Sequence, residues 1–179
     1  MRVLVVYESM FGNTHVVADG IAKGLGPGNE VSVTEVGHVT PEMVEKADLV
    51  VVGGPTHIHG LSKPSTRTMA ADTAVKHPES VTIEPDATGT GLREWLPTLG
   101  RSGAMAAAFD TRIDAPAAFT GRASKRIDRQ LRRHALRVVV KPESFLVDKE
   151  NHLEPGEVER AREWGAELGR VAMDALTGR

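Results

Sequence analysis

The pattern of apolar and polar residues at the start of the chain predicts a buried strand followed by a helix. Residues 3–7 are all apolar or aromatic and mostly β-branched, which is typical of a buried strand. From Thr14 onward the apolar residues recur at helical spacing, at Val17, Ile21 and Leu25. The loop between the two segments carries hydroxyls, an amide and a glycine. It therefore places polar groups where a helix start exposes N–H groups that lack intrahelical partners.

The rest of the chain alternates between strand-like and helix-like segments. Near-continuous apolar runs or period-two alternation predict strands at residues 30–36, 48–54 and 103–109, and a last strand at 136–140 and 144–147 that is bent around Lys141-Pro142. Helical spacing predicts helices at 13–23, 41–47, 62–74, 92–99, 117–134 and 157–176. This alternation predicts one domain over residues 1–179, an α/β fold in three layers with a five-stranded parallel sheet and right-handed crossovers.

Three polar loops are predicted at the carboxyl ends of the strands, where open parallel sheets bind their ligands. They are residues 8–14, 53–62 and 109–119. Residues 75–91, which are rich in Pro, Glu, Asp, Thr and Gly, predict a long excursion of the kind that forms lids or mobile segments.

Composition narrows the range of functions. The chain has no cysteine, which excludes disulfides, thiolate chemistry and cysteine-ligated metals. The apolar run at the N-terminus is too short for a signal peptide and no segment is long enough for a membrane span, so we expect a cytoplasmic protein.

Charge is unevenly distributed along the chain. The net charge is −2, but residues 121–141 hold eight Lys or Arg and one Asp, a net charge of +7. Such a segment either attracts an anionic partner or cofactor or is simply a solvated helix face. Because aromatic residues are not interleaved with the basic ones, we do not expect nucleic-acid binding.

The loop at residues 9–14 has the composition of a phosphate site without a basic residue. A phosphate there would be held by backbone N–H groups, the helix dipole and the hydroxyls of Ser9 and Thr14, and Gly12 would permit a close approach. The loop lacks the Gly-Lys-Ser/Thr ending of a Walker loop and the Gly-x-Gly-x-x-Gly of dinucleotide-binding folds. The alternative is that Asn13 or Thr14 merely caps the helix.

Two motifs of the chain resemble those of a known family. The first motif, Val5-Val6-Tyr7-x-Ser9-x-x-Gly12-x-Thr14-x-x-x-Ala18-x-x-Ile21, resembles the FMN-phosphate motif of flavodoxins. The second, Gly53-Gly54-Pro55-Thr56, is similar to the loop after the third strand in flavodoxins and flavodoxin-like quinone reductases. The resemblance implies the flavodoxin-like strand order 2-1-3-4-5 and FMN as a non-covalent cofactor.

The resemblance also implies positions for the cofactor. Three groups of residues would surround it: Ser9, Met10, Phe11, Gly12, Asn13 and Thr14 around the phosphate; Pro55, Thr56, His57, Ile58, His59 and Gly60 along the isoalloxazine edge; Phe109, Asp110, Thr111 and Arg112 near the pyrimidine end. Gly60 is the candidate for a peptide that hydrogen-bonds flavin N5.

Two of these assignments have alternatives. Arg112 would stabilise the anionic reduced flavin, or it forms an ion pair with Asp110 or Asp114. His57 and His59 would act as hydrogen-bond donors or a proton source at the flavin edge, or they ligate a metal together with Asp110. Nothing else in the sequence supports a metal, and we expect none.

The sequence leaves the reaction open. Electron-carrier flavodoxins usually cover the flavin with Trp or Tyr and are strongly acidic, whereas this chain has seven Phe, Trp and Tyr residues and a net charge of −2. One hypothesis is an electron carrier that serves a redox partner protein. A second is an FMN-dependent NAD(P)H oxidoreductase of a small-molecule acceptor such as a quinone or porphyrinogen, and a third is a flavin-free binding module on the same fold.

Overall fold

A parallel sheet forms the middle layer of the molecule, in a computed structural model that describes residues 1–57, 60–76 and 82–178. Its strands are β1 (Arg2–Tyr7), β2 (Glu30–Glu35), β3 (Leu49–Pro55), β4 (Met105–Ile113), β5 (Arg137–Val138) and β6 (Glu143–Val147). The order is β2-β1-β3-β4, and β5 and β6 pair with successive parts of the outer edge of β4, all in parallel. The predicted order 2-1-3-4-5 is confirmed, and the predicted bend of the last strand is the break between β5 and β6.

Helices cover both faces of the sheet, which confirms the predicted three-layer α/β/α architecture. They are α1 (Asn13–Leu25), α2 (Pro41–Lys46), α3 (Pro64–Lys76), α4 (Leu92–Trp95), α5 (Ala117–Thr120), α6 (Ala123–Arg133) and α7 (Glu157–Thr177). One core lies between the sheet and α1 with α7, and the other lies between the sheet and α2, α4 and α6. Within the described ranges, none of these helices combines the length and the apolar composition that a membrane span requires.

Glycines allow α1 and α7 to pack closely together. A Cβ at Gly24 would lie 2.0 Å from the backbone oxygen of Arg162, and a Cβ at Gly165 would lie 2.2 Å from that of Ile21. Neither position has room for a larger residue unless the helices separate. This contact fixes α1, and therefore its N-terminus, relative to the sheet.

The two central strands extend further than the sequence predicted. β3 continues to Pro55 and β4 to Ile113, because residues 53–55 pair in register with residues 109–111. The ring of Phe109 occupies the space beside Gly53, where a Cβ would lie 2.1 Å from the ring. The predicted helix at 117–134 is also interrupted, since Gly121 has a φ of 74° and separates α5 from α6.

The predicted excursion at residues 75–91 is partly helical. Residues 75–76 end α3, residues 77–81 lie outside the described residues, and residues 82–91 contain neither helix nor strand. The described part packs on the loop after β1, where the Glu84 N–H donates to the Met10 carbonyl at 2.8 Å.

Candidate functional site

A cleft of about 240 Å³ opens at the carboxyl end of the sheet. It lies among the loop from β1 to α1, the end of β3, the end of β4 and the segment after β6. Its lining residues are Ser9, Met10, Phe11, Asn13, Thr14, Pro55, Thr56, His57, Thr111, Arg112, Ile113, Val147 and Asn151. All three loops that the sequence predicted to converge contribute to this lining.

One end of the cleft is the N-terminus of α1. Gly12 is the residue before the helix and has a φ of 87°, a conformation that favours glycine. Its N–H donates to Ser9 Oγ at 3.1 Å, which closes the loop. The first turn of α1 contains no acidic residue, and its N–H groups and the positive end of the helix dipole favour an anion. The Glu84 carboxylate lies beside this helix start, with its Oε1 3.2 Å from His15 Nδ1, and its negative charge opposes a bound anion.

Two hydroxyls beside this helix end can donate to a ligand. Thr14 Oγ1 and Thr111 Oγ1 are 2.8 Å apart, and both residues are buried. Since one of the two hydroxyl protons fills that bond, the other remains available to the cleft. Ser9 Oγ accepts the N–H of Gly12 and therefore also keeps its own proton for donation.

The alternative in which Asn13 or Thr14 only caps α1 is wrong. Gly12 precedes the helix, and no side chain of the described residues caps this helix start. Thr14 is engaged with Thr111, while Asn13 Nδ2 donates to the carbonyl of Asn151 at 2.7 Å. The polar side chains of the loop are thus directed across the sheet edge rather than back to their own helix.

Two nitrogens in the lining are buried without a partner. Among the described residues, neither Arg112 Nε nor Asn151 Nδ2 has a hydrogen-bond acceptor. Arg112 Nη1 donates to the carbonyls of Ile113 at 3.2 Å and Ala115 at 2.7 Å, which hold the guanidinium at the wall of the cleft. Arg112 forms no ion pair with Asp110 or Asp114 within the described part of the chain, so its charge is not neutralised by either of those residues.

Asp110 positions the β3 loop but does not line the cleft. Its Oδ2 accepts the Thr56 hydroxyl at 3.1 Å and the Ser124 N–H at 2.8 Å. Thr56 Oγ1 in turn accepts the Ala123 N–H at 2.9 Å. The carboxylate therefore sits at the N-terminus of α6, where the helix dipole favours an anion, and it holds Thr56 at the edge of the cleft.

His57 lies on the wall of the cleft. Burial lowers the pKa of its imidazole from the ordinary value of 6.5, and the positive charge of Arg67 lowers this pKa further. The ring is therefore neutral near pH 7 and has one donor and one acceptor nitrogen.

Some residues that the sequence predicted for the site lie elsewhere. Phe109 is fully buried and packs on Phe145 and Trp164, because β4 does not end at residue 109 but continues to Ile113. Asp110 points to the opposite face of β4, as alternation along a strand requires. Gly60 is paired through its N–H with the His57 carbonyl at 2.9 Å and lines a neighbouring cavity instead. Ile58 and His59 lie outside the described residues.

Three lining residues were not predicted: Ile113, Val147 and Asn151. Ile113 is part of the unexpected extension of β4. Val147 is the last residue of β6, and Asn151 lies in the segment after it. The carboxyl end of β6 lies at the same sheet edge as those of β1, β3 and β4. The rule that ligands bind at these ends applies to the last strand as well, so the topology contained this information.

The described residues contain two clusters of side chains that could hold a metal ion: Glu35, His38 and Asp86; Asp148, Glu150 and His152. Neither includes His57 or Asp110. The Asp110 carboxylate instead accepts hydrogen bonds from the Thr56 hydroxyl and from the Ser124 N–H at the N-terminus of α6.

The comparisons with known proteins agree with the topology. Neither a protein-family model nor a curated protein matches the chain in sequence. Among solved structures, a flavodoxin from the domain Archaea matches with a TM-score of 0.67 and 18% identity over 97% of this chain and 99% of that one. Flavodoxin 1 from Bacillus cereus matches with a TM-score of 0.65 and 19% identity over 95% and 98%. A WrbA-like flavodoxin from Agrobacterium tumefaciens matches with a TM-score of 0.60 and 20% identity over 97% and 98%. The chain therefore has the flavodoxin-like fold.

Proposed function

We propose that this protein binds FMN non-covalently in the cleft and carries out electron transfer through it. The observation that supports this most is the joining of a helix N-terminus, two hydroxyl donors and the ends of β3 and β4 in a single cleft. The flavodoxin-like fold of the chain and the motif at residues 9–14 agree with it. FMN, when bound, supplies one- or two-electron chemistry, and the protein supplies binding, orientation and electrostatics.

The residues of the cleft fit the two ends of FMN. At the phosphate end, the N–H groups of α1, the Ser9 hydroxyl and the free proton of the Thr14–Thr111 pair are donors, and FMN phosphate offers only acceptors. At the ring end, Arg112 lines the cleft, and a ligand carbonyl or ring nitrogen there would accept an N–H from its guanidinium.

Arg112 would also tune the cofactor. Its guanidinium is always charged and is fixed at the wall by two carbonyls. Reduction adds negative charge to the flavin, so a fixed cation beside the ring favours the reduced form. The neutral imidazole of His57 would provide a donor or an acceptor at the ring edge without competing charge.

A second candidate function is oxidation of NAD(P)H with reduction of a small acceptor such as a quinone or porphyrinogen. One observation favours it over a pure electron carrier. In the described lining of the cleft, Phe11 and His57 are the aromatic side chains, and neither Trp nor Tyr is present. A flavin without a broad aromatic cover leaves a face open, where a substrate could stack.

The experiment that tests these functions starts from protein loaded with FMN in vitro. Steady oxidation of NADPH or NADH with menadione, without any added protein, supports the oxidoreductase. Reduction that requires an added flavodoxin reductase supports the electron carrier. A chain that takes up no FMN rejects both and leaves the flavin-free binding module.

A further inference from the structure

A second cavity of about 300 Å³ shares the His57 wall with the cleft. Its lining residues are His57, Gly60, Leu61, Lys63, Thr66, Arg93 and Arg126, and we call it the cationic cavity. It is as large as the smaller pockets that bind small molecules, which begin at roughly 300 Å³. It lies at the same end of the sheet as the cleft, and its position makes it accessible to a molecule that reaches the edge of the flavin site.

The cationic cavity collects positive charge from three separate segments. Lys63 follows β3, Arg93 belongs to α4 and Arg126 belongs to α6. The described lining contains no Asp or Glu. Placing three like charges around one small volume is unfavourable unless an anion or water screens them. A solvated helix face explains the outer charges of α6, but it does not explain why two other segments bring cations to the same place.

Arg93 is held in position without losing its charge. Its Nε donates to the Ser62 carbonyl at 2.7 Å and its Nη2 donates to the Leu61 carbonyl at 2.5 Å. Both acceptors are neutral, so the guanidinium remains a full positive charge at the wall. A pre-oriented cation binds an anion with less loss of side-chain entropy than a mobile one.

The buried residues behind the cavity carry paired charges, so the net positive charge comes from the three lining cations. Arg67 is buried and donates to the Ser62 hydroxyl at 3.0 Å and to Glu94 Oε2 at 2.9 Å. Glu94 is the partner of Arg67 and does not line the cavity. The positive charge of Arg67 also acts on His57 in the shared wall, where it lowers the pKa of the imidazole.

We propose that the cationic cavity binds the carboxylate or phosphate group of a small anionic molecule that exchanges electrons with the flavin. This inference rests on the proposed function for its redox part, because the flavin would lie on the other side of His57. An acceptor or donor with an anionic group would place that group among Lys63, Arg93 and Arg126 and its reactive part at the open edge of the cleft. A neutral molecule of the same shape would gain nothing from these charges.

The binding test uses the FMN-loaded protein and three small probes that share an aromatic ring: phenyl phosphate, benzoate and neutral benzyl alcohol. The amide NMR signals of Gly60 and Lys63 report on the cationic cavity, and that of Gly12 reports on the loop at the start of α1. We expect the two anions to shift the amide signals of Gly60 and Lys63. The anion that binds with the higher affinity identifies phosphate or carboxylate as the natural group. Benzyl alcohol leaves these signals unchanged.

Two double variants with the same change of charge separate a local effect from a general one. Lys63→Gln with Arg126→Gln changes the cationic cavity, whereas Arg129→Gln with Arg133→Gln changes exposed residues of α6 that do not line it. We expect anion affinity to fall at least tenfold in the first variant and less than about twofold in the second at an ionic strength near 0.15 M, where distant charges are screened. Equal losses in both variants, or no shift at Gly60 in the original protein, overturn the proposal.

The redox part is tested by reoxidation of the dithionite-reduced, FMN-loaded protein. The acceptors are 1,2-naphthoquinone-4-sulfonate, which is anionic, and menadione, which is neutral. We expect Lys63→Gln with Arg126→Gln to slow reoxidation by the anionic acceptor about tenfold and to leave the rate of reoxidation by menadione unchanged. Equal slowing with both acceptors contradicts the proposal.

Two further outcomes separate this inference from the proposed function. If the original chain takes up no FMN, the proposed function and the redox role of the anion both fail, and the same NMR titration on the flavin-free chain still decides whether the cavity binds anions. If Lys63→Gln with Arg126→Gln instead abolishes FMN binding, the cavity belongs to the FMN site and the inference is overturned.

Discussion

The hydroxyl of Thr14 lies 2.8 Å from the hydroxyl of Thr111, although the two residues are 97 positions apart in the chain. This contact joins the first turn of α1 to the end of β4 at the cleft. It also explains why a threonine at residue 14 does more than start a helix. A hydroxyl pair that spends one of its two protons on itself can still donate the other to an acceptor in the cleft.

The double variant Ser9→Ala, Thr14→Val removes the Ser9 donor and breaks the Thr14–Thr111 pair at the phosphate end. Hydrogen bonds to charged groups contribute about 1.5–3 kcal/mol each, so we expect FMN affinity to fall by roughly 10- to 100-fold for each bond lost. Riboflavin has no phosphate, and its affinity should change little. Titration of the flavin-free protein with FMN and with riboflavin, followed by flavin fluorescence, measures both.

The matched control is Ser65→Ala with Thr88→Val, which removes two exposed hydroxyls away from the cleft. This control should keep the original preference for FMN over riboflavin. An unchanged preference in the Ser9→Ala, Thr14→Val variant would mean that the phosphate does not lie at the start of α1.

Arg112→Gln should lower the midpoint potential of the bound flavin. The substitution removes a fixed positive charge that favours the reduced form, and a loss of about 1.4–3 kcal/mol corresponds to roughly 30–60 mV for a two-electron couple. Arg129→Gln removes an exposed charge of α6 and is the control. Spectroelectrochemical titration of the two variants gives the comparison, and a higher or equal potential in Arg112→Gln contradicts the assigned role.

Glu8 should make stability depend on pH in the opposite direction from most carboxylates. Burial raises the pKa of its carboxyl above the ordinary value of 4.5, although the Ser62 hydroxyl, the Leu92 N–H at 2.7 Å and the charge of Arg67 oppose this. The folded protein therefore binds the proton more tightly than the unfolded chain. The stability contribution is fully present below this ordinary value, which the unfolded chain retains, and is lost as pH rises through the raised folded pKa.

The measurement is urea unfolding of the original protein and of Glu8→Gln from pH 4 to pH 8. We expect the unfolding free energy of the original protein to fall relative to that of Glu8→Gln as pH rises. Glu167→Gln, which alters an exposed residue of α7, should show no such trend. A relative increase with pH would show that Glu8 has a lowered pKa in the folded state.

Two glycines one turn apart on α7 should respond to alanine in opposite directions. A Cβ at Gly165 would lie 2.2 Å from the Ile21 carbonyl oxygen, whereas the nearest atom to a Cβ at Gly169 would be 3.6 Å away. Gly165→Ala should lower the free energy of unfolding by about 1–3 kcal/mol or more, because the added methyl group overpacks the contact. Gly169→Ala should raise the free energy of unfolding by up to about 1 kcal/mol, because alanine is the better helix former. Similar unfolding free energies of the two variants would contradict the tight α1–α7 contact.

The order of strands and helices could be predicted from the sequence because it depends on hydrophobic patterning, which is local. The ends of β3 and β4 could not. The Phe109 ring fills the space that Gly53 leaves beside it, and the two paired residues are 56 positions apart, so no local pattern shows this contact. The break between α5 and α6 depends on a positive φ at Gly121, and a glycine inside a helical pattern does not by itself reveal that conformation.

The loop at the start of α1 was more predictable than the other walls of the cleft. Ser9, Gly12 and Thr14 act where a strand meets a helix, so their spacing in the sequence already defines their geometry. Asp110 looked like a loop residue because polar residues often end strands, yet its place in β4 turns its carboxylate toward α6. Asn151 comes from the opposite end of the chain and was found only once the sheet brought it to Asn13.

Binding of FMN itself provides the most direct test. Flavin-free protein is titrated into a fixed micromolar concentration of FMN while flavin fluorescence and the visible spectrum are recorded. We predict saturable binding at one FMN per chain, a yellow protein that keeps its colour through gel filtration, and release of intact FMN on denaturation. Unchanged FMN fluorescence and spectrum at these concentrations, together with a colourless folded protein after gel filtration, would contradict the proposed function.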